Sequence, residues 1–369
     1  MALLRLVARW FVGVLFIISG LIKINDPVGT QIKLEEYFEV FASTFTPAFH
    51  ALVPAALVLS VVLSVLEVVL GVALLLKFRP RITTAVLLVT IVFFTALTLF
   101  SAVTGKVTDC GCFGDALVLT PWQSFMKDLV LLVLILILFF AYRRKGPEAP
   151  ELHPTPGAGL WVLTTGLISI AIAIIAIEHL PYIDFRAYKE GVHIPTAMQP
   201  SEPYRYTYIM AKGGRDYELT DYPDAAEGYE YKDIRLLNPE AAPKITDFSI
   251  WNKEGDLTQQ VLEGKKLLII VHKVDDADTD NISAINRLAQ SLRGRAETLV
   301  VTSSDEASYE AFRHQHQIAV PYAFADATLL KTIMRSNPGL VLLKDGTVLK
   351  KWHHNDTPDA TEVLQLLNR

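Results

Sequence analysis

Residues 52–76 read LVPAALVLSVVLSVLEVVLGVALLL, a run whose one ionisable side chain is Glu67. A bilayer core about 30 Å thick is crossed by about 20 apolar residues of helix, so this stretch has the length and composition of a membrane span. Working outward, comparable runs occupy Leu3 to Ile22, Ile82 to Val103, Trp122 to Tyr142 and Ala158 to Leu180. That makes five spans. Arg5 and Arg9 give the first run the charged start of a signal peptide. No small-residue cleavage site follows at Ser19-Gly20-Leu21-Ile22-Lys23, so the segment is expected to stay as a helix.

The whole chain of 369 residues is 51% apolar and 20% charged, a bias confined to residues 1–180. Beyond Leu180 the sequence is ordinary and mixed, as expected of a water-soluble domain. A net charge of -5 gives no reason to expect a nucleic-acid partner. Cytoplasmic loops of membrane proteins hold the excess of Lys and Arg. Arg5 and Arg9, then Lys77, Arg79 and Arg81, then Arg143, Arg144 and Lys145 fall on one side, against Lys23, Lys33 and Lys106 on the other. The amino terminus is therefore expected in the cytoplasm and everything after Leu180 in the periplasm, which makes the chain a multi-pass protein of a bacterial inner membrane with lipid as its first partner.

The only two cysteines form Cys110-Gly111-Cys112, in the outer loop between the third and fourth spans. An oxidising compartment lets them pair, and a bridge between residues two apart is strained and exchangeable. The residues alone leave three readings open: a redox pair, a local staple or pair of idle thiols, and a metal site. The last lacks the further ligands zinc prefers, and no metal is expected.

Asp109-Cys110-Gly111-Cys112-Phe113-Gly114-Asp115 ahead of a helix containing Trp122 resembles the loop of the MauE/DoxX family of redox-associated membrane proteins. Ser19 to Pro27 at the end of the first helix, and Glu67 followed by Gly71 in the second, are similar to the pattern of the same family. The resemblance covers about residues 5–142. It implies a four-helix core related in architecture to vitamin K epoxide reductase and a role in maturing or oxidising periplasmic proteins, with Cys110 and Cys112 as the redox pair. The chain departs from four-helix members in its fifth helix, its large outer domain and its lack of a second cysteine pair.

Ionisable residues inside spans are costly and point to function. Arg9 and Glu67 are read as an intramembrane ion pair that fixes packing, with a proton relay as the alternative. Lys23 and Asp26, beside the cysteine loop, are candidates to polarise a thiol together with Asp109 and Asp115; the alternative is ordinary snorkelling and turn chemistry at Asn25-Asp26-Pro27. A short interfacial helix is expected over Lys33 to Phe49, whose Leu34, Phe38, Phe41 and Phe45 suit a lid over the cysteine loop or packing at the membrane surface.

The expected division is a transmembrane domain over 1–145, a cytoplasmic loop and fifth helix over 146–180, an outer linker with short strands over 181–244, and a soluble domain over 245–369. In the last, strands are expected at 266–274, 297–302, 322–325, 340–343 and 347–352, with helices at 281–293, 306–316, 328–335 and 358–367. Lys344-Asp345-Gly346 turns a hairpin. This order resembles the thioredoxin-like fold, including a proline, Pro338, before a core strand. That proline's edge is the candidate partner-binding surface, and Asn337-Pro338 a candidate cis peptide. Where a thioredoxin places its cysteines the chain has Val274-Asp275-Asp276-Ala277-Asp278-Thr279-Asp280, read as solvated charges at a helix start. His314, His316, His353 and His354 are read as surface residues. No nucleotide-binding loop, nucleophile elbow or other cofactor motif is present.

The fold class is thus a polytopic α-helical bundle of five transmembrane helices plus an α/β thioredoxin-like domain. Two functions are expected. One is thiol–disulfide exchange or maturation of periplasmic proteins, with the outer domain binding the substrate or partner protein. The other is a non-catalytic scaffold within a cell-envelope assembly.

Overall fold

The computed structural model describes residues 2–107, 111–144 and 154–368, and the chain separates into two compact units, Met1–Phe185 and Arg186–Arg369. The first unit is helical: α1 (Ala2–Asn25), α2 (Pro27–Thr44), α3 (Ala56–Leu75), α4 (Pro80–Thr104), α5 (Pro121–Arg143) and α6 (Ala158–Glu178). A 3-10 segment, Pro47–Ala55, leads into α3. Five of these segments, 2–25, 47–75, 80–104, 121–143 and 158–178, are long and apolar enough to cross a membrane. Proline opens α2, α4 and α5, a position where its missing N–H costs nothing. The start of α5 adds a reciprocal cap between Thr120 and Gln123.

Four helices share one core. Val12 and Phe16 of α1, Leu70 and Leu74 of α3, Leu87 and Ile91 of α4, and Leu131, Ile135 and Leu138 of α5 interlock, while α6 packs outside them through Ala173 against Ile24 and Val68. In lipid, water drives little of this packing and close approach of backbones matters more. Glycines bring α1 and α3 together. A Cβ at Gly71 would stand 2.6 Å from the Gly13 carbonyl oxygen, and one at Gly20 would stand 2.8 Å from that of Ser64. The two helices run antiparallel, Gly13 level with Gly71 and Gly20 level with Ser64 and Val68.

Two expectations for this unit change. Helix α2 starts at Pro27, six residues before the interfacial helix expected from the sequence, because Asp26 ends one helix and caps the next by accepting from the Gly29 N–H at 2.8 Å. Asp26 therefore serves α2, not the end of α1. The segment after α6 is also tied down: the Asn25 side chain donates to the Ile183 carbonyl and accepts from the Ile183 N–H.

The second unit holds two sheets. A three-stranded antiparallel sheet, order β2-β1-β3, is built from β1 (Tyr206–Lys212), β2 (Arg215–Leu219) and β3 (Glu230–Leu236). A seven-stranded mixed sheet has the order β10-β9-β6-β7-β8-β4-β5. Its strands are β4 (Ile250–Asn252), β5 (Gly255–Asp256), β6 (Lys265–Val271), β7 (Glu297–Thr302), β8 (Tyr322–Ala325), β9 (Gly339–Lys344) and β10 (Thr347–His353). Strands β6, β7 and β8 are parallel; β9 runs antiparallel between β6 and β10. Central strand β6 is buried along nearly its whole length, as a run of apolar residues covered on both faces should be. Helices at Ile282–Ser291, Glu306–Gln315 and Ala360–Asn368 join the face of Leu267, Ile269 and Val271. Asp345 and Gly346, both with positive φ, turn the β9–β10 hairpin.

Residues 186–198 are more than the linker the sequence suggests. Gly191 and Ile194 donate backbone hydrogen bonds to Val348 and Gly346, and Val348 donates to Val192, so this segment covers the outer edge of β10. Tyr188 is buried and its hydroxyl donates to Asp247 at 2.9 Å; burial, then that carboxylate, raise its pKa. The run 274–280 is not a helix start either: Val274–Asp276 forms one 3-10 turn and the following helix begins at Ile282. His353 and His354 are buried rather than on the surface. The chain turns at the end of β10, so adjacent side chains no longer diverge, and the two rings stack with centroids 4.3 Å apart.

Candidate functional site

Glu67 sits mid-way along α3, 1% exposed, and its partner is Lys23 rather than Arg9: Lys23 Nζ donates to Glu67 Oε1 at 2.5 Å. Helix register decides this. With Gly20 level with Ser64 and Val68, Glu67 faces the turn around Ser19, and Arg9 lies ten residues away, about 15 Å along the axis. Arg9 keeps a buried Nε with no hydrogen-bond acceptor among the described residues. Ser19 Oγ stands 2.7 Å from Glu67 Oε2 and 2.9 Å from the Cys112 carbonyl oxygen, and Lys23 also lies 4.9 Å from the centre of the Phe94 ring.

A second pair, buried at its carboxylate and half-buried at its lysine, faces the first. Asp128 of α5, 1% exposed, binds Lys127 and accepts from Thr98 Oγ1 of α4 at 3.0 Å. Lys127 stands 5.6 Å from the centre of the Phe113 ring. Between the pairs lies a cavity of about 80 Å³ that Cys112 lines together with Ser19, Lys23, Glu67, Thr98, Lys127 and Asp128. Thr30, Lys33, Leu34 and Tyr37 of α2 close one side of it; Tyr37 is fixed by a 2.8 Å hydrogen bond to Ser101, and Gly111 with positive φ lets the loop run against Lys33. The phenylalanines expected in a lid do something else: Phe41 packs on Phe45, Phe49 and Phe100, anchoring α2 to α4.

Of the candidates in the sequence, Lys23, Glu67 and Cys112 come together here. Asp26 caps α2, Asp115 lies in the 3-10 turn Gly114–Ala116, and neither lines the cavity. Cys110 and Asp109 lie outside the described residues, so the pairing of Cys110 with Cys112 does too. Lys127, Asp128, Ser19 and Thr98 are additions. The signal for the first two is plain in retrospect, an adjacent Lys-Asp within an otherwise apolar span, but charges near the end of a span look like interfacial ones.

The chain over residues 1–141 matches the family described as methylamine utilisation protein MauE. Residues 1–141 are thus similar to that family. No curated protein matches the chain. The matched residues contain the whole cavity, from Leu15 to Leu131.

In the second unit Pro338 follows a cis peptide at Asn337 and is buried. Asn337 closes the turn onto the preceding loop: its side chain accepts from the His272 N–H and donates to the Lys273 carbonyl, and its carbonyl accepts from the Asp278 N–H. His272, 9% exposed, keeps a buried Nε2 with no hydrogen-bond partner among the described residues. Burial, and then Lys331, push its pKa down to about 4. Lys273 faces Asp275 and Asp276 at 3.8 and 3.9 Å, and His354 lies 3.9 Å from Asp278.

Proposed function

We propose that this chain is an inner-membrane protein of thiol–disulfide exchange or of redox-linked maturation, acting through Cys110 and Cys112 on a periplasmic protein. One observation carries the reading: Cys112 lines a cavity shared by two lysine–carboxylate pairs, the buried Lys23–Glu67 and the partly buried Lys127–Asp128. Buried ion pairs are costly in a membrane and mark function. In exchange, a thiolate of this loop attacks one sulfur of a partner disulfide, forms a mixed disulfide and expels the partner's other sulfur as thiolate; the neighbouring cysteine then displaces the partner, leaving it reduced and this loop oxidised. The reverse sequence oxidises a dithiol partner. A thiolate at Cys112 would share the cavity with the Lys23 and Lys127 ammonium groups, which would favour its charged form.

The MauE family description supports a place in maturing a methylamine-utilisation system, the redox role being the finer part of the proposal. We read the second unit as thioredoxin-like on its strand order, β7-β6-β9-β10 with β9 antiparallel, and on the cis proline ahead of β9. It contains no cysteine, so its part is to hold a partner. That same feature favours the second reading, a scaffold that recruits without turnover.

The test is the reduction potential of the Cys110/Cys112 pair in purified protein, by quantified alkylation across a glutathione series. A value of about -200 to -120 mV supports exchange; a pair still oxidised below about -300 mV is a structural staple and leaves the scaffold. The orientation in this proposal predicts that alkaline phosphatase fused to the C-terminus is active in the periplasm, and an inactive fusion would reverse it.

A further inference from the structure

Arg9 takes no part in the cavity, yet it is a costly residue to keep. It lies about 10 Å along α1 from the helix start at Ala2, and its Nε is buried with no acceptor among the described residues. A buried donor without a partner has given up water and gained nothing in return. Register shows what surrounds it. Arg9 stands one turn before Gly13 on the same face of α1, and a Cβ at Gly13 would meet Leu75. Because α1 and α3 are antiparallel, Arg9 is level with the end of α3 and the connection Leu76 to Arg79.

That connection overrides local preference twice, each time with a cation. The Lys77 and Phe78 amides return to the Leu74 and Ala73 carbonyls, a helix ending whose left-handed position favours glycine, and here it holds Lys77 at φ 55°. The N-cap of α4 favours a small polar residue and holds Arg79 at φ 40° with no side-chain cap. Backbone strain of this kind gathers at binding sites. Two more arginines join from the next helices. Arg81 Nε donates to the Tyr142 carbonyl at 3.2 Å, which brings the end of α5 to the start of α4, and Arg143 stands 4.1 Å from the centre of the Phe139 ring. Residues 2–12, 74–84, 139–144 and 154–162, the described part of this end, contain no Asp or Glu. The rest of the α5–α6 connection adds Lys145, Glu148 and Glu151 to the sequence, so positive charge remains in large excess.

We propose that Arg9, Arg79 and Arg81 hold the phosphate of an anionic phospholipid. Its acyl chains lie along the exposed apolar side chains Leu6 and Trp10 that flank Arg9 on α1. The planar fork of arginine matches phosphate oxygens, and basic pockets between transmembrane helices take such headgroups. The depth of Arg9 selects a lipid over a soluble anion, since the phosphate must reach a donor set inside an apolar span. A zwitterionic lipid gains less, because its own ammonium already neutralises the phosphate. Neither the cysteines nor the redox reading enters this site.

The experiment is native mass spectrometry of the full-length protein released from detergent micelles containing dioleoylphosphatidylglycerol or dioleoylphosphatidylcholine, with thermal unfolding in the same micelles. Wild type should retain phosphatidylglycerol at about tenfold lower lipid concentration than phosphatidylcholine, the factor that one charge-assisted hydrogen bond sustains, and should melt higher in its presence. Arg9→Gln should hold the two lipids about equally, and Arg9→Lys should keep part of the preference. Arg79→Gln, at an exposed position, should weaken the preference in the same direction and serves where Arg9→Gln fails to fold. Lys106→Gln makes the same change of charge beyond the other end of α4, where Lys106 donates to Thr44, and should behave as wild type. Equal retention of the two lipids by wild type overturns the site, and so does a full preference in Arg9→Gln or, if that protein does not fold, in Arg79→Gln. An effect of Lys106→Gln as large as that of Arg9→Gln overturns it in favour of net charge alone. A melting temperature raised as much by sodium phosphate as by phosphatidylglycerol overturns the lipid and leaves a site for soluble phosphate.

Discussion

Lys23 and Glu67 form the contact on which most of the site depends, and the two halves of it differ in how visible they are in sequence. Glu67 is conspicuous, a lone charge in an apolar run. Its partner is a matter of register. Counting turns from the helix ends puts Arg9 and Glu67 on a common level only if the start of α1 is level with the end of α3, and the glycine contacts shift the match by about three turns to Ser19 and Lys23. Removing one member of a buried pair leaves an uncompensated charge. Lys23→Met is therefore expected to destabilise the protein by about 3 kcal/mol, measured by thermal unfolding in detergent, and Glu67→Gln in the same chain should recover most of that loss. No recovery would mean that the Lys23 stem, not its charge, is what matters.

His272 is a second residue-scale case, unremarked in the sequence because nothing local distinguishes it from a surface histidine. Its folded pKa of about 4 lies below the ordinary 6.5, so the unfolded chain binds the extra proton between these values and stability rises with pH across that window. The second unit is expected to lose about 3 kcal/mol as pH falls from about 6.5 to about 4, and His272→Gln to flatten that slope. Equal slopes in the two proteins would remove His272 from the account.

Among the elements, the helices and strands expected in the soluble unit appear within two or three residues of their places, because each carries its own period and its own turn residues. What local sequence does not carry is which elements touch. The glycine seam between α1 and α3 is an example: Gly13, Gly20 and Gly71 look like incidental small residues until the helices cross. Gly71→Ala would press a methyl group against the Gly13 carbonyl, where backbone cannot yield as a side chain can. Overpacking of this kind costs about 1–3 kcal/mol. The expected outcome is a lower melting temperature together with faster exchange of the 111–117 loop, since parting α1 from α3 pulls Ser19 off Glu67. A loop that exchanges at the wild-type rate would show the seam and the site to be independent.

At the scale of the molecule, the split into a bundle of helices long and apolar enough to cross a membrane and an α/β unit of mixed composition is the most legible property of the chain. The cavity is the least legible. It draws on five helices and a loop whose contributing residues span Leu15 to Leu131, and only the three-dimensional crossing makes neighbours of Cys112, Glu67 and Asp128. The boundary between the units is also finer than hydropathy suggests, because residues 186–198 leave the bundle's sequence only to join the soluble sheet.

That short segment governs how the soluble unit behaves if it is ever separated from its anchor. A row of unpaired N–H and C=O groups along a strand is a template for self-association, and residues 191–194 are what caps that row on β10. A fragment beginning at Arg186 keeps its cap and is expected to run as a monomer in analytical ultracentrifugation. One beginning at Gln199, otherwise complete, should recruit a strand from another copy and grow into higher assemblies; a monomeric Gln199 fragment would show that the β10 edge needs no guard. Proteolysis before Arg186 thus yields a stable monomeric domain, and a cut a dozen residues further on yields a seed for insoluble material.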